Sequence, residues 1–432
     1  MGGVLLKKFL SVFLFLAIAM VIVGCSKGKD SSGEADGTVT IEYWQYAYKA
    51  KVDLMDELIK EFEDKNPGIK VKQTTFPYEQ YNEKVATLVP AGRGPDVINL
   101  YYGWLPKYID SGYLQPLPED TFPVDKIESE YFSLVNAAKL DDKYWAIPTA
   151  VRTLALFYNK DLFEKAGLDP NNPPKTWDEL VDYAKKLTVR ENGKLVTEGM
   201  AYEIGAQLNN WFYDALVYQA GGQGLSEDRK QILWDDTPAG LEAFTYLVEF
   251  GSKHKVGESG FYTDDVTAFK TGNAAMNIDG SFRLGTLATD APDLNYGVAP
   301  LPSYKEKATQ SSFWANGITA KVEGEKLEAS KKFLAFLTSD EVMERWIDEV
   351  GELPAKEAVA TQDKYVNDPL YGPFIEQLPY ANAQFYVDET AQRQYVIDAV
   401  NEVLLNGVLI EDAYNDFAAK SQKLYDDYWS KK

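Results

Sequence analysis

One cysteine and one histidine occur in 432 residues, and that scarcity excludes more chemistry than any motif adds. Cys25 has no second thiol with which to close a disulfide, and one sulfur cannot assemble a thiolate metal site. A nucleophile–histidine device or an imidazole metal cluster would have to rest on His254 alone. Set among Lys253, Lys255 and Gly257, His254 reads instead as a cation at a helix C-terminus. Basic excess is missing as well: Asp and Glu number 66 against 44 Lys and Arg, a formal charge of −22. Nucleic acid and anionic lipid surfaces call for basic patches, so neither is an expected partner. The acidic charge is spread rather than blocked, as on a solvated surface. Beyond the first 25 residues no apolar run is long enough to span a membrane.

What is present begins at the N-terminus. Lys7 and Lys8 precede the apolar stretch Phe9 to Val23, interrupted only by Ser11, which fits a secretory signal and is short for a membrane span. The block Ile22-Val23-Gly24-Cys25 resembles a bacterial lipobox. That resemblance implies a signal peptide over 1–24, cleavage before Cys25, and lipidation of Cys25. Two acyl chains suffice for stable attachment to the extracytoplasmic face of the cell membrane. A buried structural cysteine behind an ordinary signal is the competing reading. Residues 25–37 then form a lipidated tether, since Ser26 to Gly37 carries no apolar periodicity.

The rest is too long for one ordinary core, so two domains are expected. Val39, Ile41 and Tyr43 alternate with polar residues as in a strand, and Leu54, Leu58 and Phe62 follow at helical spacing up to Asn66-Pro67-Gly68. A second strand over Ile69 to Phe76, an amphipathic segment over Tyr81 to Val89, and the apolar strand Asp96 to Leu100 continue the rhythm. Strands recur at Ala150 to Tyr158, Ala274 to Ile278 and Tyr296 to Ala299. Helices are expected over Thr176 to Leu187, Pro238 to Lys253, Lys326 to Leu337, and from Ile410 onward. Thr176 is the expected N-cap of the first of these, with Glu179 three residues on. Alternation of this kind predicts an α/β fold with a largely parallel sheet.

The adjacent acids Asp235-Asp236 and Asp264-Asp265 read as helix caps more readily than as a hydrolytic pair placed across a sugar. Gly221-Gly222-Gln223-Gly224 lacks the spacing of a dinucleotide loop and reads as a helix end. Aromatic side chains are abundant, with 28 Tyr, 9 Trp and 21 Phe. Most fill cores, yet rings also offer an apolar face to a sugar and, in Tyr and Trp, a polar edge to a hydroxyl. Tyr46, Tyr48, Tyr101, Tyr102 and Trp104 fall at or beyond strand ends, where open α/β sheets bind ligands. Trp177, Trp234 and Trp346 lie on or beside amphipathic helices and are assigned to the core.

The stretch YWAIPTAVRTLALFYNKDLFEKAGL (Tyr144 to Leu168), followed by PPKTWDEL, resembles the signature of family 1 extracellular solute-binding proteins. These are the maltose-binding-protein-like receptors of ABC importers. EFEDKNPGIKV, GRGPDVI, FKTGNAAMNIDGSF, YGVAPLP, KKFLAFLTSDE and LPAKEAV follow in the family's order. The resemblance implies a two-lobed periplasmic-binding-protein-like fold with three hinge crossings and a ligand cleft between the lobes. It places the crossings near Ile147-Pro148, Asn277 to Asp279 and Val350 to Leu353. One lobe would join 38–147 with 281–350, the other 148–280 with 351–432.

It also implies ligand positions. These are the loop at Tyr46 and Tyr48, the strand end at Tyr101, Tyr102 and Trp104, the post-hinge Arg152, and the segment with Asn209, Trp211 and Asp214. Phe282 stands where the family often has a stacking tryptophan, and Gln394 where some members have another, so a maltodextrin ligand is disfavoured. Arg152 and Arg283 read equally as polar anchors or as ion pairs, and Asp279 as a hydroxyl acceptor or a turn cap. Trp314 and Asn316 are expected on the cleft floor. The reading is a lipid-anchored monomer that binds carbohydrate for an ABC permease, without cofactor or catalysis. Its rivals are a receptor for a non-sugar solute, a cell-wall glycan hydrolase, and a sensory lipoprotein.

Overall fold

The computed structural model describes residues 37–203 and 207–432, without the side chains of residues 79 and 207–209. Cys25, the expected signal peptide and most of the expected tether lie outside the described residues. By internal contacts Met1–Thr38 separates from Val39–Lys432, which forms one unit. No helix among the described residues is long and apolar enough to cross a membrane.

The unit is built on one nine-stranded sheet. Its strands are β1 (Val39–Tyr46), β2 (Ile69–Phe76), β3 (Val97–Tyr101), β4 (Ile147–Asn159), β5 (Met276–Gly280), β6 (Tyr296–Ala299), β7 (Thr309–Ile318), β8 (Leu353–Pro354) and β9 (Ala381–Asn382). The main path runs β6-β4-β7-β3-β1-β2. β1 pairs in parallel with β2 and β3, as alternating strand and helix require, while β7 lies antiparallel to β3 and β4. Every residue of β3, β4, β5 and β7 is buried, including polar ones such as Arg152, Asp279, Gln310 and Asn316.

β1 feeds directly into helix α1 (Lys49–Lys65), whose buried face is Lys51, Leu54, Met55, Leu58, Ile59 and Phe62. Helix α2 (Tyr78–Leu88) follows β2. Later helices that matter for the site are α3 (Gln207–Gln219), α4 (Asp340–Val350), α5 (Glu389–Asn406) and α6 (Ile410–Trp429). The expected helix near Thr176 forms over Trp177–Leu187. Its cap works through Thr176 Oγ1, which accepts from the Glu179 N–H at 3.2 Å. The Glu179 carboxylate accepts from the Lys175 N–H at 2.7 Å, one residue before the cap. Trp177, Trp234 and Trp346 are buried.

β4 is the organising element. Its first half, through Thr153, pairs with β7, and its second half, Leu154 to Asn159, pairs with β5 and β6. The β4–β7 register shifts opposite Trp314/Ala315, where Thr149 is passed over, a bulge that re-aims neighbouring side chains. Asn277 to Asp279, where a crossing is expected, lies inside β5, which pairs with Leu154 to Tyr158 of β4. β7 starts with Thr309 Oγ1 donating to the Leu154 carbonyl at 3.0 Å and ends against Val97 in β3. β4, which begins at the expected crossing Ile147-Pro148, changes strand partners at Thr153/Leu154. The third expected position coincides with Gly351, which ends α4 at φ +82°. That backbone region favours glycine.

Candidate ligand-binding site

The rings predicted at strand ends do converge. Trp314, from β7, lies at their centre: its ring is 4.2 Å from Tyr46, 5.4 Å from Trp104, 6.1 Å from Tyr101 and 6.0 Å from Tyr81. β1, β3 and β7 are adjacent strands, so side chains at their ends must share one edge of the sheet. Tyr48, at the N-cap of α1, stands 6.4 Å from Tyr46, and its hydroxyl lies 3.4 Å from Thr286 Oγ1. Tyr102 stacks on Phe313 at 4.8 Å. From α3, Trp211 comes within 6.1 Å of Tyr101 and donates from Nε1 to the Tyr101 hydroxyl at 3.1 Å. Asp214, one turn further along α3, accepts from the Tyr386 hydroxyl.

A charged side adjoins the rings. Arg152 donates from Nε to Glu352 Oε1 at 2.7 Å and from Nη2 to the Tyr46 hydroxyl at 3.1 Å, and its guanidinium lies 4.6 Å from the centre of the Phe282 ring. Lys51 reaches the other Glu352 oxygen at 3.1 Å, and Trp346 Nε1 donates to that same oxygen at 2.8 Å. Burial alone would push the Glu352 carboxyl up, yet Arg152 and Lys51 hold it down at about 2. The same neighbourhood keeps Arg152 firmly protonated against burial. Arg283 donates from Nε to Asp279 Oδ2 at 2.5 Å, and Asp279 Oδ1 accepts the Gly280 N–H at 2.7 Å. Arg283 also lies 5.3 Å from the Phe282 ring. Both arginines thus make ion pairs within the chain.

Two carboxyls lack such compensation. Asp214 is pushed up to about 7 by burial, with Glu389 adding to the rise and the Tyr386 hydroxyl opposing it. Asp265 is likewise raised to about 7 by burial and by Asp279, against Arg283. A cavity of about 30 Å³, room for roughly one water, lies beside Asp265 and Asn277. Of the adjacent acid pairs, Asp264 does cap a short helix, accepting the Thr267 N–H at 2.6 Å, and Asp235 and Asp236 are exposed. His254 follows a helix ending at Ser252, with Nε2 3.5 Å from a Glu249 carboxylate oxygen, but burial and Lys185 push its pKa down, which disfavours the cation expected there.

Two expected positions stand apart from the ring set. Asn316 is 2% exposed. It accepts from Asn99 Nδ2 at 2.9 Å and from the Tyr43 hydroxyl at 3.2 Å, tying β1, β3 and β7 together. Gln394 is exposed on α5, where Glu389, Gln392, Val396, Ala399 and Val400 form the buried face, and it donates to Asp398 at 2.7 Å. The Asn209 side chain lies outside the described residues. Several participants escaped sequence reading: Tyr78, Tyr81, Lys51, Glu352, Trp346 and Tyr386. Lys51 left a signal, being a cation three residues before Leu54 on the apolar face of α1. Tyr78 and Tyr81 left one too, at i, i+3 just after β2.

The profile described as bacterial extracellular solute-binding protein matches residues 47–344. The chain belongs to that family. A solute-binding protein of an ABC transporter from Thermotoga lettingae, solved with α-D-tagatose, is 28% identical, with a TM-score of 0.78 over 89% of this chain and 99% of that one. An ABC substrate-binding protein from Listeria monocytogenes, in complex with cycloalternan, is 26% identical, with a TM-score of 0.76 over 89% of this chain and 98% of that one. The sn-glycerol-3-phosphate-binding periplasmic protein of Escherichia coli K12 is 27% identical over 76% of each chain. The solute-binding protein thus has the two-lobed α/β fold, with β4 and β7 shared between the two halves of its sheet. The ring set gathers where those shared strands meet the ends of β1 and β3.

Proposed function

We propose that this solute-binding protein captures a carbohydrate, by preference an oligosaccharide, and delivers it to the permease of an ABC importer. The observation that carries the reading is the meeting of Tyr46, Tyr101, Trp104, Trp211 and Trp314 from four separate stretches of chain. Such rings offer apolar contact area without a fixed hydrogen-bond pattern, while tyrosine and tryptophan edges and the nearby carboxyls can select hydroxyl geometry. Two relatives solved with sugars support the same reading. We place one lobe at residues 38–152 with 313–350 and the other at 154–311 with 353–432, following the change of strand partners along β4 and β7. Ligand would favour closure of the lobes by its differential affinity for the closed form. Cys25 would carry the lipid anchor, and the receptor would act as a monomer without turning its ligand over.

A thermal-shift screen of mono- and oligosaccharides, followed by calorimetry, tests the reading. The best sugar should lose affinity by roughly 1–3 kcal/mol in Trp211→Ala and in Trp104→Ala, the usual range for a buried aromatic anchor. Sustained release of product from a glycan panel would replace the receptor with a hydrolase. Unchanged affinity in both variants would move the site elsewhere.

A further inference from the structure

The rings of the site differ in their access to solvent. Tyr101 is 2% exposed, Trp211 5%, Trp314 6% and Tyr46 7%, whereas Tyr78 is 36% exposed. Tyr78 nonetheless belongs with them, its ring standing 5.7 Å from Tyr46 and 6.2 Å from Trp314. It is the first residue of α2, directly after Pro77. Backbone bonds hold that entry on both sides: the Ala47 N–H donates to the Phe76 carbonyl at 2.7 Å, and the Gln80 N–H to the Pro77 carbonyl at 3.0 Å. A ring so placed is in position before ligand arrives, and contact with it costs little ordering. Across from it stands α5. Burial raises the pKa of the Tyr78 hydroxyl; next in weight, Glu389 adds to the rise and Arg393 opposes it, which puts both α5 groups near this ring. A side chain open to solvent and yet crowded by its surroundings marks the mouth of a cleft rather than an open face. Arg393 Nε lies 3.8 Å from Glu389 Oε1, so the carboxylate steadies the cation by charge without accepting a hydrogen bond from that nitrogen.

We propose that Tyr78 and Arg393 form an outer subsite at the mouth of the cleft, where they take a further sugar unit of an oligosaccharide and so set the chain length that the receptor prefers; this rests on the carbohydrate reading above. A sugar unit seated on the buried rings is served by Tyr46 and Trp314, and a chain that continues outward from them meets Tyr78 next. The exposed ring offers its face to the C–H surface of that outer unit. The guanidinium of Arg393 offers a planar fork of donors that suits neighbouring hydroxyls. The two residues come from the two proposed lobes, so a unit held between them adds to the affinity of the closed form in particular. A monosaccharide on the inner rings gains nothing from either. The register of α5 explains why Arg393 rather than Gln394 holds this place: Arg393 lies one turn after the buried Glu389, while Gln394 falls on the exposed side.

The test reads affinity against chain length. Malto-, cello-, xylo- and mannooligosaccharides, from the monosaccharide to the tetrasaccharide, are titrated by calorimetry into the wild-type protein and its variants, with folding verified from melting curves. In the series that binds, wild-type affinity should rise with length. Tyr78→Ala should remove about tenfold of that rise while leaving the shortest member that binds within about twofold of wild type. Tyr78→Phe keeps the ring and should keep the rise. Arg393→Gln should remove about fivefold of it, the scale of one lost hydrogen bond. The proposal is overturned if Tyr78→Ala weakens every member equally or none of them, if Tyr78→Phe loses as much as Tyr78→Ala, or if Arg393→Gln leaves the rise intact. A wild-type series that binds with no gain from length also sinks it, while the carbohydrate reading stands. If no sugar binds, both fall.

Discussion

The two sides of the site are made of opposite materials. On the side built by β1, β3 and β7, rings pack against rings and need little beyond contact to hold their places. On the side built around β5 and the start of β8, each group is fixed by a named partner: Arg152 by Glu352 and Arg283 by Asp279. Contact area is forgiving, because a ring accepts many shapes of neighbour. A buried ion pair is not, because losing one member leaves the other charged and unsolvated.

Substitution at the join between the two sides should have the largest effect. Glu352→Gln leaves Lys51 and Arg152 facing each other without their shared anion, and should destabilise the protein by roughly 3–5 kcal/mol in urea denaturation. A loss no greater than that of an exposed Glu→Gln control would show that the pair is dispensable and erase the contrast. Acidity separates the sides next. Glu352, held at about 2 against an ordinary value of 4.5, contributes stability that is lost as pH falls between those values. Asp214 and Asp265, raised from 3.8 to about 7, act with opposite sign: their contribution is present below pH 4 and is lost as pH rises toward 7. Melting temperature should thus decline from about pH 4 to about pH 7 through these two groups and through Glu198, which burial raises from 4.5 to about 8, so Asp214→Asn with Asp265→Asn should make that limb shallower while leaving the acid limb intact. The smallest effect is a deliberate null. Gln394→Ala, exposed on α5 and bonded to Asp398, should change stability by no more than about 0.5 kcal/mol and sugar affinity not at all. A weakened ligand in that variant would restore Gln394 to the site.

Much of this was legible beforehand because it follows local rules. Alternation and helical spacing located β1, α1, β2 and β3, and strand-end position located Tyr46, Tyr101 and Trp104. The ion pairs were only half legible. Arg152 and Glu352 stand 200 positions apart, so no spacing rule joins them, and a resemblance that supplies the fold does not say which arginine is already neutralised. The hydrogen bonds of Asn316 were not legible either, because their donors, Asn99 and Tyr43, come from other strands.

That β4 passes through both halves of the sheet also bears on how the chain acquires its structure. Its first half finds its partner in β7 and its second half in β5 and β6, each more than a hundred residues downstream. Neither half can close on early sequence alone. Until Thr309–Ile318 has been made, the first half of β4 presents an open apolar edge, so a fragment ending before β7 should aggregate rather than fold. Assembly governed by such distant pairings is slow, which gives an export machinery time to thread the chain before it locks.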